Sequence, residues 1–241
     1  MKLNIRNIDI NYIQYGEGED VVLLHGWGQN IQMMDPIGKN LCKAHKITIV
    51  DLPGFGESEE PKEELNIYDY ADILKELLDK LKIKKPTLIG HSFGGRIAII
   101  YGSKYDVNKL VLLGAPCVRT EKKPGLKVKV LKALKKVPGL SKLENFAKDH
   151  IGSTDYKKAS SMMKKILVNT VNEDLSECAK KIEAPTLLIW GEEDVDAPLE
   201  DAKKLEALLK DGGLVTYEGG THYTYLEFLK PVCNVIKTFI K

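Results

Sequence analysis

Apolar and polar residues alternate along the first strand-like segment of the chain, residues 3–15. Asn7 interrupts this pattern, and a polar, glycine-containing turn at residues 16–20 follows it. A period of two residues is typical of strands that bury one face. The pattern therefore predicts that the chain opens with an antiparallel hairpin.

Six short apolar runs without alternation follow the hairpin, and they suit strands that are buried on both faces. Segments with helical periodicity lie between them, for example residues 70–81 and 199–209. This order predicts an α/β fold with a mostly parallel, eight-stranded sheet that helices cover. The six runs are residues 21–24, 47–50, 87–89, 110–113, 186–190 and 214–217.

The alternation of strands and helices stops between residues 117 and 182. This region contains at least three helical stretches and no strand-like run. Pro185 marks the return to the sheet, because the residue before a proline disfavours helix. We therefore predict a helical cap, residues 117–182, inserted after the sixth strand of an α/β core that comprises residues 1–116 and 183–241.

The composition limits the classes of function. With 241 residues, 43% of them hydrophobic, the chain fits one domain with one insertion. Its net charge of +2 gives no one-sided positive field, so we expect no nucleic-acid partner. No apolar run approaches the roughly 18 residues of a membrane-spanning helix, and the first residues lack a secretory signal. We therefore expect a cytoplasmic protein without a transmembrane segment.

The four cysteines are widely separated, and none forms a C-x-x-C pair. This spacing argues against a zinc site, redox chemistry or a disulfide framework. We expect reduced thiols that behave as small apolar residues. The cysteines are Cys42, Cys117, Cys178 and Cys233.

The strongest chemical signal is a G-x-S-x-G motif, Gly90-His91-Ser92-Phe93-Gly94, between a predicted strand and a predicted helix. At such a junction the turn is so sharp that the serine is strained and exposed, and the glycines leave room for neighbouring backbone. Glycine-rich turns also bind phosphates, but neither of the common nucleotide-binding glycine patterns occurs here. The motif predicts that Ser92 is a catalytic nucleophile.

A serine hydroxyl needs a base that takes its proton. Among the five histidines, His222 lies in a glycine-rich loop after the last predicted strand, at the sheet edge where ligands bind. We expect His222 to be the general base. His45 is predicted to end an early helix, His91 to point away from the serine and His150 to lie among charges of the cap. These three are therefore expected to be structural or surface groups.

The base in turn needs a carboxylate that orients it. The loop after the preceding strand, residues 190–198, offers four acidic side chains. Its place in the chain gives the order serine, acid, histidine that accompanies a nucleophile elbow. We expect Asp194 to be this acid and keep Asp196 as the alternative.

The glycine-rich turn His25-Gly26-Trp27-Gly28 directly follows a buried strand. A turn at this place lets a backbone N–H point at the oxyanion that forms in the reaction, and the residue after the nucleophile supplies a second N–H. We expect these donors to be Trp27 and Phe93. The His25 ring is expected to brace the loop by hydrogen bonding, with His25 and Gly26 bordering the substrate pocket.

Five segments together resemble the α/β-hydrolase superfamily, and the resemblance covers nearly the whole chain outside the cap. The chain looks similar to small, capped, carboxylesterase-like members, a group that includes acyl-carrier-protein methyl ester esterases, lactonases and carbon–carbon bond hydrolases. The resemblance implies the same roles for Ser92, Asp194, His222, Trp27 and Phe93. Relatives that cleave epoxides or carbon–halogen bonds use aspartate at the elbow, and serine argues against them. The segments are residues 25–28, 51–58, 90–95, 191–194 and 220–222.

These features predict a serine hydrolase that cleaves carboxylic esters of small or medium acyl groups through an acyl-enzyme, with no metal and no organic cofactor. Lactone opening and carbon–carbon cleavage on the same fold are alternatives, because the same serine serves them. A ligand-binding protein with vestigial activity is a further alternative.

Substrate choice is expected to come from the cap, since many activities share the catalytic residues beneath it. Residues 126–137 have the pattern of a basic amphipathic helix, whose apolar stripe is expected to cover a pocket for a small-molecule ester. A sharper hypothesis is that its lysines attract an acidic carrier protein or an anionic lipid surface. Both a monomer and a homodimer are compatible with the sequence.

Overall fold

The computed structural model describes residues 1–118 and 159–241. The strands in these residues are β1 (Lys2–Ile5), β2 (Ile8–Tyr15), β3 (Glu19–Leu24), β4 (His45–Val50), β5 (Thr87–His91), β6 (Leu110–Leu113), β7 (Thr186–Gly191) and β8 (Gly212–Tyr217). They form one sheet in the order β1-β2-β4-β3-β5-β6-β7-β8. The pairs β1–β2 and β2–β4 are antiparallel, and the other pairs are parallel. The predicted mostly parallel, eight-stranded sheet is thus confirmed.

Helices connect the parallel strands of the sheet. In the described residues they are α1 (Ile31–Leu41), α2 (Ile67–Lys80), α3 (Phe93–Lys104), α4 (Ser161–Val171), α5 (Ser176–Ala179), α6 (Leu199–Leu208), α7 (Thr224–Glu227) and α8 (Leu229–Phe239). The helical segments predicted at 70–81 and 199–209 correspond to α2 and α6. α2 begins with a capping box, in which the Asn66 side chain accepts the N–H of Asp69 and the Asp69 side chain accepts that of Asn66.

The hydrophobic core occupies both faces of the sheet. Neighbouring residues of a strand point to opposite faces, so Val22 and Leu24 pack in the cluster that contains residues of α2 and α3. Val21 and Leu23 pack in the cluster that contains residues of α1 and α8. Burial on both sides explains why the central strands are continuous apolar runs.

The opening hairpin turns at Arg6 and Asn7, between the paired residues Ile5 and Ile8. Both turn residues have positive φ angles, 49° and 61°. Two-residue hairpin loops of this type require positive φ at both central positions, and asparagine tolerates it well. The hairpin predicted around Asn7 is therefore confirmed.

One local expectation, that His45 ends a helix, is wrong. α1 ends at Leu41, and His45 is the first residue of β4. The parallel register pairs His45 with Glu19 of β3. Pairing with β3 extends the strand two residues before the apolar run at residues 47–50, and local sequence does not show this.

The residues between β6 and β7 are helical in their described part, which contains α4 and α5. Four apolar residues in these helices or next to them, Met163, Ile166, Leu175 and Ala179, are buried in the core cluster of α2 and α3. This part of the predicted cap therefore packs directly on the sheet domain. The basic segment 126–137 and His150 lie outside the described residues.

All four cysteines are unpaired, and Cys117 and Cys233 are buried. Burial raises the pKa of the Cys117 thiol to about 12 and also raises the pKa of Cys233. Among the helices of residues 1–118 and 159–241, none has both the length and the apolarity needed to cross a membrane.

Candidate active site

Ser92 is the single residue between β5, which ends at His91, and α3, which begins at Phe93. Its φ is 49° and its ψ is −110°. Residues with a Cβ rarely adopt positive φ, and such strained positions cluster at functional sites. The side chain is half-buried. This strand-to-helix turn has the backbone expected of a nucleophile elbow.

Two glycines of the motif allow this turn to form. A Cβ at Gly90 would lie 2.6 Å from the backbone of Gly94, and a Cβ at Gly94 would lie 2.5 Å from the carbonyl oxygen of Leu24. Side-chain carbons do not approach backbone atoms so closely, and only glycine fits at either position. The G-x-S-x-G spacing thus follows from the close contact of β3, β5 and α3.

A hydrogen-bonded histidine and aspartate lie at the carboxyl edge of the same sheet. Nδ1 of His222, in the loop after β8, is 2.7 Å from Oδ2 of Asp194, in the loop after β7. A carboxylate can only accept, so Nδ1–H donates and the lone pair remains on Nε2. The side chains of His222 and Asp194 are only 11% and 1% exposed. Nε2 of His222 is therefore the ring nitrogen that can take a proton.

Asp194, and not the alternative Asp196, makes the contact with His222. The second oxygen of Asp194, Oδ1, accepts the N–H groups of Asp196 at 2.9 Å and of Ala197 at 2.8 Å. These bonds to its own loop hold the carboxylate in place. Asp196 is exposed. The loop thus turns one of its two aspartates inward and the other toward solvent.

The loop after β6 also borders this pair. Gly114 has a positive φ of 53°, and a Cβ there would lie 3.2 Å from both Asp194 Oδ2 and His222 Nδ1. Side chains at this position would press on the hydrogen-bonded atoms. A glycine is needed here for the backbone angle and for space, and sequence reasoning did not single it out.

His91 is buried and contacts the main chain of His222. Its Nε2 lies 3.0 Å from the carbonyl oxygen of His222, which can only accept, so Nε2–H donates. Burial lowers the pKa of His91 to about 3, so the ring is neutral near pH 7. The ring also packs 4.6 Å from that of Tyr225, between centroids. The sequence predicted a structural or surface role for His91 but did not show this contact with His222.

His25 is fully buried, and both of its ring nitrogens bond to the main chain. Nδ1 donates to the carbonyl oxygen of Gly26 at 2.7 Å, and Nε2 accepts the N–H of Leu52 at 3.0 Å. Burial lowers its pKa to about 4, which keeps it neutral. The predicted bracing role is confirmed. The placement of His25 and Gly26 at a substrate pocket stays a prediction, and a polar contact from this ring would require breaking one of its bonds.

Trp27 and Phe93 lie side by side, with ring centroids 5.1 Å apart in an edge-to-face arrangement. Within residues 1–118 and 159–241, neither backbone N–H donates to a main-chain or side-chain acceptor. For Phe93 this follows from its position at the first residue of α3, where helical N–H groups have no intrahelical partner. Within the described part of the chain, the two N–H groups predicted to bind an oxyanion therefore make no other hydrogen bond.

Asp194, Asp196 and His222 could each offer a ligand atom to a metal ion, with those atoms within 4.8 Å of one another. Two of the three side chains already share a hydrogen bond, which a cation at that nitrogen would have to replace. The arrangement favours proton transfer by His222 over coordination of a metal by the three side chains.

Comparison with protein families agrees with this geometry. The family model described as alpha/beta hydrolase fold matches residues 21–143, about half of the chain. A second model, described as TAP-like protein, matches residues 154–241. The chain belongs to the α/β-hydrolase fold family.

Curated relatives align over nearly the whole chain. The AB hydrolase superfamily protein YisY of Bacillus subtilis is 28% identical over 251 residues, covering 93% of this chain and 92% of the relative. A pimeloyl-acyl-carrier-protein methyl ester esterase of Aliivibrio fischeri is 25% identical over 248 residues, with 93% and 95% covered. The solved structure of an esterase from Exiguobacterium antarcticum is similar in fold, with a TM-score of 0.78, 24% identity and 99% and 98% covered.

Proposed function

We propose that this protein is a serine hydrolase that cleaves carboxylic esters of small or medium acyl groups. The observation that carries the proposal is the bond between His222 Nδ1 and Asp194 Oδ2, at the sheet edge where β5 delivers Ser92. A nucleophile in a strained turn and an oriented base are the two parts that acyl transfer needs.

In the first step Ser92 Oγ attacks the carbonyl carbon of the ester, and its proton passes to Nε2 of His222. Asp194 stabilises the imidazolium that forms, through Nδ1–H. The N–H groups of Trp27 and Phe93 donate to the oxyanion. When the tetrahedral intermediate collapses, the alcohol leaves with the proton from His222, and the acyl group stays on Ser92.

In the second step water hydrolyses the acyl-enzyme. His222 takes a proton from the water, the hydroxide oxygen bonds to the acyl carbon, and the same two N–H groups hold the second oxyanion. Collapse returns the proton to Ser92 Oγ and releases the carboxylic acid. None of these steps requires a cofactor, because each charge that develops has a protein partner.

The ester class is supported by the family and by the methyl ester esterase that aligns with 93% of this chain. Lactone opening and carbon–carbon cleavage are the second proposal, because a lactone is a cyclic ester and both reactions use an elbow serine with a histidine base. Within the fold we propose that residues 117–182 form the cap that selects the substrate, with residues 1–116 and 183–241 as the core.

The proposed function is tested by p-nitrophenol release from acetate, butyrate, octanoate and palmitate esters. We expect turnover by the wild type on the shorter chains and its loss in Ser92→Ala. Ser103→Ala is a matched control in the last turn of the same helix, where the Ser103 hydroxyl donates to the Ile100 carbonyl of its own helix. The proposal fails if the folded wild type hydrolyses none of these esters, or if Ser92→Ala keeps the wild-type rate.

A further inference from the structure

Arg96 lies in the first turn of α3, four residues after Ser92, and is only 5% exposed. Its guanidinium donates three hydrogen bonds to backbone carbonyl oxygens. Nη1 donates to Pro116 at 2.7 Å, and Nη2 donates to Thr170 at 2.9 Å and to Glu173 at 2.6 Å. The proposed reaction makes no chemical use of this side chain.

A buried cation is costly unless other groups compensate its charge. Burial lowers the pKa of Arg96, and the neighbouring charges of Glu173 and Asp174 act in the opposite direction. The carbonyl of Thr170 belongs to the last turn of α4, where the negative end of the helix dipole favours a cation. The forked guanidinium can reach carbonyls in several directions at once, whereas a lysine ammonium cannot match this geometry.

The Pro116 carbonyl connects Arg96 to the loop that borders the acid–base pair. This loop contains Gly114, which adjoins both Asp194 and His222. A shift of the loop relative to α3 would therefore change the spacing between the serine and its base.

The other two acceptors connect Arg96 to the end of α4. Thr170 is fully buried, and its hydroxyl bonds back to the Ile166 carbonyl at 2.8 Å. Oε1 of Glu173 accepts the hydroxyl of Tyr68, in α2, at 3.1 Å. The end of α4 is thus tied to α3 through Arg96 and to α2 through Tyr68.

We propose that Arg96 is a positioning residue for the reaction of Ser92, an inference that rests on the proposed function. By bonding the loop after β6 and the end of α4 to the first turn of α3, it keeps Ser92 at a fixed distance from the His222–Asp194 pair. A misplacement of about 1 Å at a reacting group costs on the order of 100-fold in rate.

Arg96→Met tests this role, because it removes all three hydrogen bonds and keeps an unbranched side chain in the buried space. We expect kcat for p-nitrophenyl acetate, counted per active serine, to fall about 10- to 100-fold while KM stays within about threefold. Active serines are counted by titration with a fluorophosphonate. In Arg96→Lys kcat should fall less than in Arg96→Met, because lysine keeps the charge and part of the hydrogen bonding. Arg96→Lys is the variant to test if Arg96→Met does not fold.

Counting turnover per titrated serine separates positioning from stability. Fewer titratable sites with normal turnover at each would show that Arg96 only stabilises the fold, and this result would overturn the proposal. Arg6→Met is the matched control, since Arg6 lies in the opening hairpin and pairs with the exposed Glu76. It should leave turnover per site unchanged.

Amide hydrogen exchange gives a readout that does not depend on esterase activity. In Arg96→Met we expect faster exchange at residues 92–98, 114–117 and 170–176 together, with the β1–β2 hairpin unchanged. No change, or an equal increase over the whole chain, would overturn the coupling of the three segments. If the wild type neither turns over esters nor reacts with the fluorophosphonate, the proposed function fails, and exchange still decides whether Arg96 couples the segments.

Discussion

His91 Nε2 donates a hydrogen bond of 3.0 Å to the carbonyl oxygen of His222, across 131 positions of the chain. On the other side of its ring, Nδ1 lies 3.2 Å from Oε1 of Gln29, which accepts the N–H of Gly26 at 3.0 Å. In this tautomer Nδ1 carries a lone pair, so the ring is hydrogen-bonded to the loop of His222 and only packs against Gln29. Its hydrogen bond to the His222 carbonyl holds the loop after β8 next to the turn that carries Ser92.

Replacing His91 by phenylalanine should slow the reaction, because the ring volume stays but the donor to His222 is lost. Loss of the donor to this half-buried carbonyl should cost at most about 1–3 kcal/mol of unfolding free energy, and we expect kcat to fall roughly 10-fold with little change in KM. Steady-state kinetics and urea unfolding measure the two effects. His45→Phe, at the half-buried start of β4, serves as the control, and equal kcat in the two variants would contradict the role of His91.

The unfolding free energy should depend on pH through the two buried histidines, His25 and His91. Burial lowers the pKa of His25 to about 4 and of His91 to about 3, from an ordinary value of 6.5. Below pH 6.5 the unfolded chain binds protons at these rings that the folded protein does not. Their contribution to the unfolding free energy is therefore fully present above pH 6.5 and is lost as the pH falls toward 4.

In His91→Phe the unfolding free energy should fall less steeply as the pH is lowered. The difference in slope is at most that of one bound proton, about 1.4 kcal/mol per pH unit. Urea unfolding of wild type and variant at pH 7, 6 and 5 measures the difference. Identical slopes would mean that His91 is not a neutral buried ring in the folded protein.

The two aspartates of the loop after β7 should differ sharply in their effect on catalysis. Asp194→Asn removes the carboxylate that orients His222, and we expect kcat to fall by roughly 10⁴. Asp196→Asn changes an exposed side chain two residues away and should leave kcat within about twofold, since surface changes rarely matter. Ester kinetics on both variants check this, and a larger loss in Asp196→Asn would reassign the acid.

Gly114→Ala should impair both stability and activity. The added Cβ would require a positive φ of 53° at a residue other than glycine and would press on Asp194 and His222. We expect a loss of roughly 1 kcal/mol or more in unfolding free energy and a lower kcat. Gly213→Ala is the control, because a Cβ there meets no atom within 4 Å. Thermal unfolding and ester kinetics should separate the two variants.

Replacing lysines of segment 126–137 tests the hypothesis that they attract an acidic carrier protein. Replacing Lys127, Lys132 and Lys135 together by glutamine should reduce activity on an ester linked to an acidic carrier protein and leave p-nitrophenyl butyrate turnover unchanged. The expected sign of a carrier site is a rise in KM for the carrier-linked ester that added salt reproduces in the wild type. Equal activity of the variant on both substrates would remove the hypothesis.

Local rules were enough for much of the fold. Continuous apolar runs marked the strands buried on both faces, because a strand between two layers of helices has no polar face. The G-x-S-x-G motif located Ser92, since only glycine permits the contacts that Gly90 and Gly94 make with neighbouring backbone. These features depend on residues close together in sequence or on a pattern that every buried strand shares.

Long-range contacts decided the rest. The sequence preferred Asp194 but kept Asp196, because only the packing of the loop against His222 shows which aspartate turns inward. His45 was assigned to a helix, and pairing with β3 made it part of a strand. The bonds of His91 to His222 and of Arg96 to Thr170 join residues far apart in the chain, and no local pattern records them. The sequence by itself therefore determined the strands and singled out Ser92, whereas tertiary packing decided how His222, Asp194 and the side chains that contact them are placed.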